Sequence, residues 1–182
     1  MNNVKYTGTN IAAAVLILLF FFPWVSALGM SFSGFDLTKN GISPGITAYF
    51  VKGSTRLFML LSILVPLSAG LILYQNISGN KKFDSFYKPA HYIPFLYLAA
   101  GIIILYFKMK PDIPSEEEMG GVQMLRGMRQ MARDMAPGAF DVLGFAVYLS
   151  VAAGLYIMLV NIGKIKDKEY YKPTAKVENI QP

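Results

Sequence analysis

Apolar residues in this chain are gathered into long uninterrupted runs. No Asp, Glu, Lys or Arg occurs in the thirty residues between Lys5 and Asp36, or in the twenty-four between Arg56 and Lys81. The nineteen residues between Lys88 and Lys108 and the twenty-two between Asp141 and Lys164 are equally free of charge. A spanning helix needs roughly 20 mostly apolar residues to cross about 30 Å of hydrocarbon. The four gaps therefore predict helices near 9–30, 56–76, 90–108 and 139–163. Only helices or closed barrels satisfy their backbone in lipid, and these runs lack the alternation of barrel strands. The expected fold class is an all-α integral membrane protein, a four-transmembrane-helix bundle occupying residues 1–163.

The first run also has the form of a cleaved signal peptide, with Lys5, an apolar core Ile11–Phe22, then Pro23 and Val25-Ser26-Ala27. The expectation is a retained spanning helix. Aromatic residues gather where the runs end: Phe20, Phe21, Phe22 and Trp24 after the first, Tyr106 and Phe107 after the third. Amphipathic rings favour the headgroup level, so this clustering reads as a membrane belt.

The connections differ in character. In the first, about 31–55, Asn40-Gly41 is a strong hairpin signal and Ile46–Val51 is β-branched and aromatic enough to be a strand, so a small β-hairpin is expected there. The second, about 77–89, is short, polar and basic. The third carries a capping box, Ser115-x-x-Glu118, followed by a predicted amphipathic helix at about 122–136. At 100° per residue Met124, Met128, Met131 and Met135 fall within about 60° of one another, and Arg126, Arg129 and Arg133 lie opposite. Such a helix can lie in the interface with its methionines toward acyl chains, or dock a partner through adaptable thioethers. Soft sulfur ligands could also hold Cu(I), a reading that helical spacing alone does not require.

Composition sharpens what is excluded. Cysteine is absent and His91 is the single histidine, which removes disulfides, cysteine nucleophiles, thiolate metal sites and paired-histidine motifs. No glycine-rich phosphate loop or Ser-His-Asp set is present, so no catalytic residue, cofactor or resident metal is expected and the chain is read as a non-enzyme. The predicted helices hold no Asp, Glu, Lys or Arg away from their ends, which argues against a proton-coupled transporter. His91 and Asp141 read as ordinary polar residues at helix ends. The net charge is +6, and the basic residues flank the runs, so anionic headgroups explain them better than nucleic acid does.

Lysine and arginine number nine on one side of the predicted bundle and eight on the other, close to balance. The basic start, the Lys81-Lys82 turn and a basic tail at 164–182, expected to be flexible, place both termini in the cytoplasm. Ala146, Ser150 and Gly154 put three small residues on one face of the fourth helix, a surface for close helix packing.

The layout of four spans with a larger first outer loop is similar in topology to tetraspan proteins of the claudin type. It departs from them in lacking cysteines and in having Trp24 alone rather than a Trp-Gly-Leu-Trp-type stretch. The expectation is a non-catalytic tetraspan protein of the plasma (inner) membrane, an accessory or scaffold subunit contacting lipids and other subunits or itself. The alternative is a homo-oligomeric pore or a small-molecule or Cu(I)-binding membrane protein.

Overall fold

The computed structural model describes residues 6–27, 30–42, 53–79, 84–108 and 140–170. The first helix, α1 (Gly8–Leu19), starts at Thr7, whose hydroxyl accepts from Asn10 N at 3.3 Å. It ends well short of the expected residue 30, in a turn at Phe20–Phe22 ahead of Pro23. Proline has no N–H and cannot continue a helix, but it is tolerated as the first residue of a strand. Here it opens β1 (Pro23–Ala27), which pairs antiparallel with β2 (Met30–Ser33), matching Val25 to Phe32 and Ser26 to Ser31. The indole N–H of Trp24 donates to Leu19 O at 2.8 Å, satisfying one of the carbonyls that the helix end leaves open.

The small sheet is thus upstream of where Asn40-Gly41 pointed. Those two residues lie inside α2 (Gly34–Ile42), and Ile46–Val51 falls outside the described residues. Ser33 and Asp36 cap each other at the start of α2. Ser33 Oγ accepts from Asp36 N at 3.1 Å, and Asp36 Oδ2 accepts from Ser33 N at 2.9 Å and from Ser33 Oγ at 2.7 Å. These bonds, the side-chain one foremost, hold the Asp36 carboxyl below its ordinary pKa of 3.8. Gly41 is where α2 meets the next helix: a Cβ there would stand 2.8 Å from Leu60 N.

That next helix, α3 (Gly53–Leu61), leads through a turn at Ser62–Ile63 into α4 (Leu64–Ser78). The break lies at the position opposed by Pro66, whose ring clashes with the carbonyl four residues earlier. At the other end Gly79 closes α4 in the left-handed conformation, φ 64°, donating to Gln75 O at 2.9 Å. A second broken helix follows, α5 (Asp84–Ala90) and α6 (Ile93–Lys108), with its turn at His91–Tyr92.

The final helix, α7 (Phe145–Asn161), begins later than the expected residue 139. Residues just before it are extended beside β1: Ser26 N donates to Val142 O at 2.7 Å and Gly144 N to Trp24 O at 2.8 Å. Asp141 therefore sits in the approach to the helix rather than in its first turn. After α7 the chain turns at Gly163 and runs back along the start of α1. Gly8 N donates to Lys168 O at 2.9 Å and Tyr170 N to Tyr6 O at 2.9 Å, so the first part of the expected tail is paired.

Helices α1, α4, α6 and α7 close a ring in which each packs on two others: α1 on α4 and α7, α6 on α4 and α7. Leu16, Ile72 and Ile157 fill its centre with no exposure. Two stretches, Thr55–Ser78 and Ser85–Phe107, are long and apolar enough to cross a membrane. The other two are apolar but shorter, α1 with 12 residues and α7 with 17. The expectation of four full-length spans is thus reduced to two helices that meet the length, because α1 gives way to a strand and α7 starts after an extended segment.

Candidate functional site

The residues singled out in the sequence separate into two groups. Met124, Met128, Met131, Met135, Arg126, Arg129 and Arg133, with the expected helix at 122–136, lie outside the described residues. Ala146, Ser150 and Gly154 all lie buried on α7. A Cβ on Gly154 would approach Phe95 N to 3.0 Å and Phe95 Cα to 3.3 Å, so this glycine lets α7 lie against the α6 backbone.

The outer faces of the ring helices carry large apolar side chains, and several polar residues lie inside beside the apolar core. Leu18 on α1, Leu67 on α4, Leu96 on α6 and Leu149 on α7 are 62, 60, 57 and 40% exposed. Ser62, Ser68, Gln75, His91 and Ser150 are buried.

At the end where α1 starts, Thr9, Asn10, Asn76, Tyr87, His91 and Asp167 line an open cavity of about 470 Å³. Asn76 on α4 is its central tie. Its amide nitrogen donates to Asn10 Oδ1 on α1 at 2.7 Å, and its own Oδ1 accepts from the Tyr87 hydroxyl on α5 at 2.7 Å. His91 stands beside Tyr87, rings edge to face with centroids 4.5 Å apart. A carbonyl can only accept, so the 2.7 Å contact from His91 Nδ1 to Tyr87 O places a proton on Nδ1. Neutral His91 then keeps Nε2 as an acceptor. Asp167, from the returning tail, accepts from Thr9 N at 3.0 Å and from the Tyr156 hydroxyl at 3.2 Å.

The arrangement presents amide, imidazole and carboxylate groups to one cavity. The imidazole is oriented by a backbone carbonyl, and no hydroxyl or carboxylate is hydrogen-bonded to it among the described residues. No group of three or more His, Asp or Glu stands close enough to hold a metal ion among the described residues. Sequence reading placed His91 at a helix end as an interfacial residue, whereas the structure buries it at the break between α5 and α6. Asn10, Asn76 and Asp167 were missed as a set because they are brought together only by the ring of helices. The one available signal was that Asn10 and Asn76 each border an apolar run.

The opposite end holds an apolar cavity of about 370 Å³ between the sheet, α3, α6 and the start of α7. Phe58 and Tyr97 form one wall, stacked with centroids 4.7 Å apart, and the Tyr97 hydroxyl donates to Phe58 O at 2.9 Å. Trp24 and Val147 form another. No protein-family model matches the chain, and neither curated proteins nor solved structures give a match.

Proposed function

We propose that this chain is an integral membrane protein whose four apolar helices sit in the bilayer as one bundle. It serves without catalysis as an accessory or scaffold subunit of a larger membrane complex, in the plasma (inner) membrane with both termini cytoplasmic. The exposed apolar surface carries this reading: Leu18, Leu67, Leu96 and Leu149 lie exposed, one on each helix of the ring, while Ser68, Gln75 and Ser150 are buried within it. Lipid is the surrounding that makes that distribution favourable. The short α1 and α7 fit the same layer if the sheet and the residues before α7 complete their depth, since non-helical backbone is tolerated where protein buries it.

The interior favours scaffolding over conduction by a single chain. Leu16, Ile72 and Ile157 lie between the polar and apolar ends along their helices and are fully buried. Ion and proton pathways need polar or ionisable side chains along that route. Native mass spectrometry after gentle extraction from the native membrane tests the proposal. A hetero-complex of defined stoichiometry is the expected result, and a chain that leaves the membrane alone or only with copies of itself contradicts the subunit role.

The polar cavity favours a second reading, a small-molecule-binding membrane protein. Its amides, imidazole and carboxylate would select a compact polar ligand, which would appear in the same experiment as a retained mass removed by Asn76→Leu. The thioether and Cu(I) reading of the methionines is tested there too, by a copper mass lost on Met→Leu at all four positions.

A further inference from the structure

We propose that the apolar cavity is a binding site for one chain of an anionic phospholipid, with the phosphate held at Arg56; the site rests on the membrane reading above. Its walls are almost wholly apolar. The polar group of Tyr97 that reaches it is already bonded to Phe58 O, so nothing inside calls for a polar ligand. Small-ligand sites begin at about 300 Å³ and pair apolar walls with a few orienting polar groups. The volume of about 370 Å³ admits a hydrocarbon segment, not a folded peptide element.

The cavity is also reachable from lipid. The cavity is open on one side, and Ile104 in its wall is 39% exposed. Asn40 and Thr55 mark a polar edge. Beside that edge Arg56 is fixed by its own bonds, Nε to Gly41 O at 3.0 Å and Nη2 to Ile42 O at 3.2 Å. The guanidinium is exposed, and this anchoring leaves part of its donor fork available to a phosphate oxygen. Lys39 stands one residue from Asn40 and adds positive charge, partly offset by Asp36. An apolar slot open to lipid with a fixed cation at its edge matches a lipid with a negative headgroup better than a zwitterionic one.

The single tryptophan provides the test. Trp24 lines the cavity and is only 3% exposed, so chains in the surrounding bilayer reach it poorly whereas a chain inside touches it. The full-length protein is reconstituted into phosphatidylcholine vesicles containing rising fractions of phosphatidylglycerol with dibrominated acyl chains. Dibrominated phosphatidylcholine is the comparison. The expected result is saturable quenching of Trp24, with roughly fivefold preference for the anionic lipid, the factor that about 1 kcal/mol per basic residue gives.

Arg56→Gln is expected to remove most of that preference, and Ile104→Phe, which fills the mouth, to remove the saturable component. Because Arg56 also ties the end of α2, Lys39→Gln gives a milder second reading, a partial fall in preference with α2 intact. Quenching in proportion to bromolipid content, or saturation equal for both headgroups, overturns the site while leaving the membrane reading in place. Failure of the chain to incorporate into vesicles overturns both.

Discussion

Where α1 begins, bonds between polar side chains on different helices add to the backbone pairing of the returning tail; where α1 ends, backbone pairing to the sheet borders an apolar cavity. Asn76 joins three helices at the first end through Asn10 and Tyr87, and Asp167 adds the returning tail. At the second end Trp24, Phe58 and Tyr97 line an apolar cavity, while Gly144 and Ser26 join the chain before α7 to the sheet. The same four helices thus meet two surroundings. The polar end supplies internal partners for groups that hydrocarbon would leave unsatisfied, and the apolar end leaves a space that hydrocarbon can fill.

The strongest way to break both ends together is to force α7 from α6. Gly154→Leu places a side chain into the Phe95 backbone, and we expect destabilisation of about 3 kcal/mol or more, with loss of a cooperative melt in detergent. Wild-type melting would show that the two helices do not depend on this contact. Asn76→Leu acts on the polar end alone. Losing both of its side-chain bonds should cost about 2 kcal/mol by detergent-titration unfolding and leave the apolar end unchanged, read as unaltered Trp24 emission.

Ser150→Ala separates size from polarity on the small-residue face. Ser150 is fully buried and its Oγ has no hydrogen-bond partner among the described residues, so removing the hydroxyl should be neutral or raise stability by up to about 1 kcal/mol. A clear loss in the same titration would mean that the hydroxyl does bond within the bundle.

Asp36 gives the smallest effect. Its folded pKa lies below the ordinary value of 3.8, so its stabilisation is complete above that value and disappears as pH falls through the folded one. Acidification through and below about pH 4 should therefore loosen the start of α2, and Asp36→Asn should flatten that dependence in a pH series of hydrogen-exchange measurements.

These effects also mark what could be read before the structure. The two central helices were legible because their apolar runs are long, and the observed α4 and α6 end close to the expected 76 and 108, although each run is broken by a turn. The first run was misjudged because apolarity alone does not separate a buried helix from a strand. Pro23 is where the two part: inside the expected helix 9–30, it is the first residue of β1. Asn40-Gly41 misled for a related reason. Local turn preference lost to the Ser33–Asp36 cap and to the close packing of Gly41 on Leu60. The polar cavity was not legible, since Asn10 and Asn76 are 66 residues apart and Thr9 and Asp167 158 apart.

The central claim is that all four helices of the ring face lipid, although only two have the length to cross it. The chain has no cysteine, so single cysteines can replace Leu18, Leu67, Leu96 and Leu149 in turn, with Lys166→Cys as the aqueous reference. Intact membranes are then treated with a water-soluble maleimide. The account predicts that all four leucine positions resist labelling until detergent is added, while position 166 reacts when the reagent has access to the cytoplasmic side. Rapid labelling at positions 18 and 149, with 67 and 96 protected, would contradict it and leave a two-span protein.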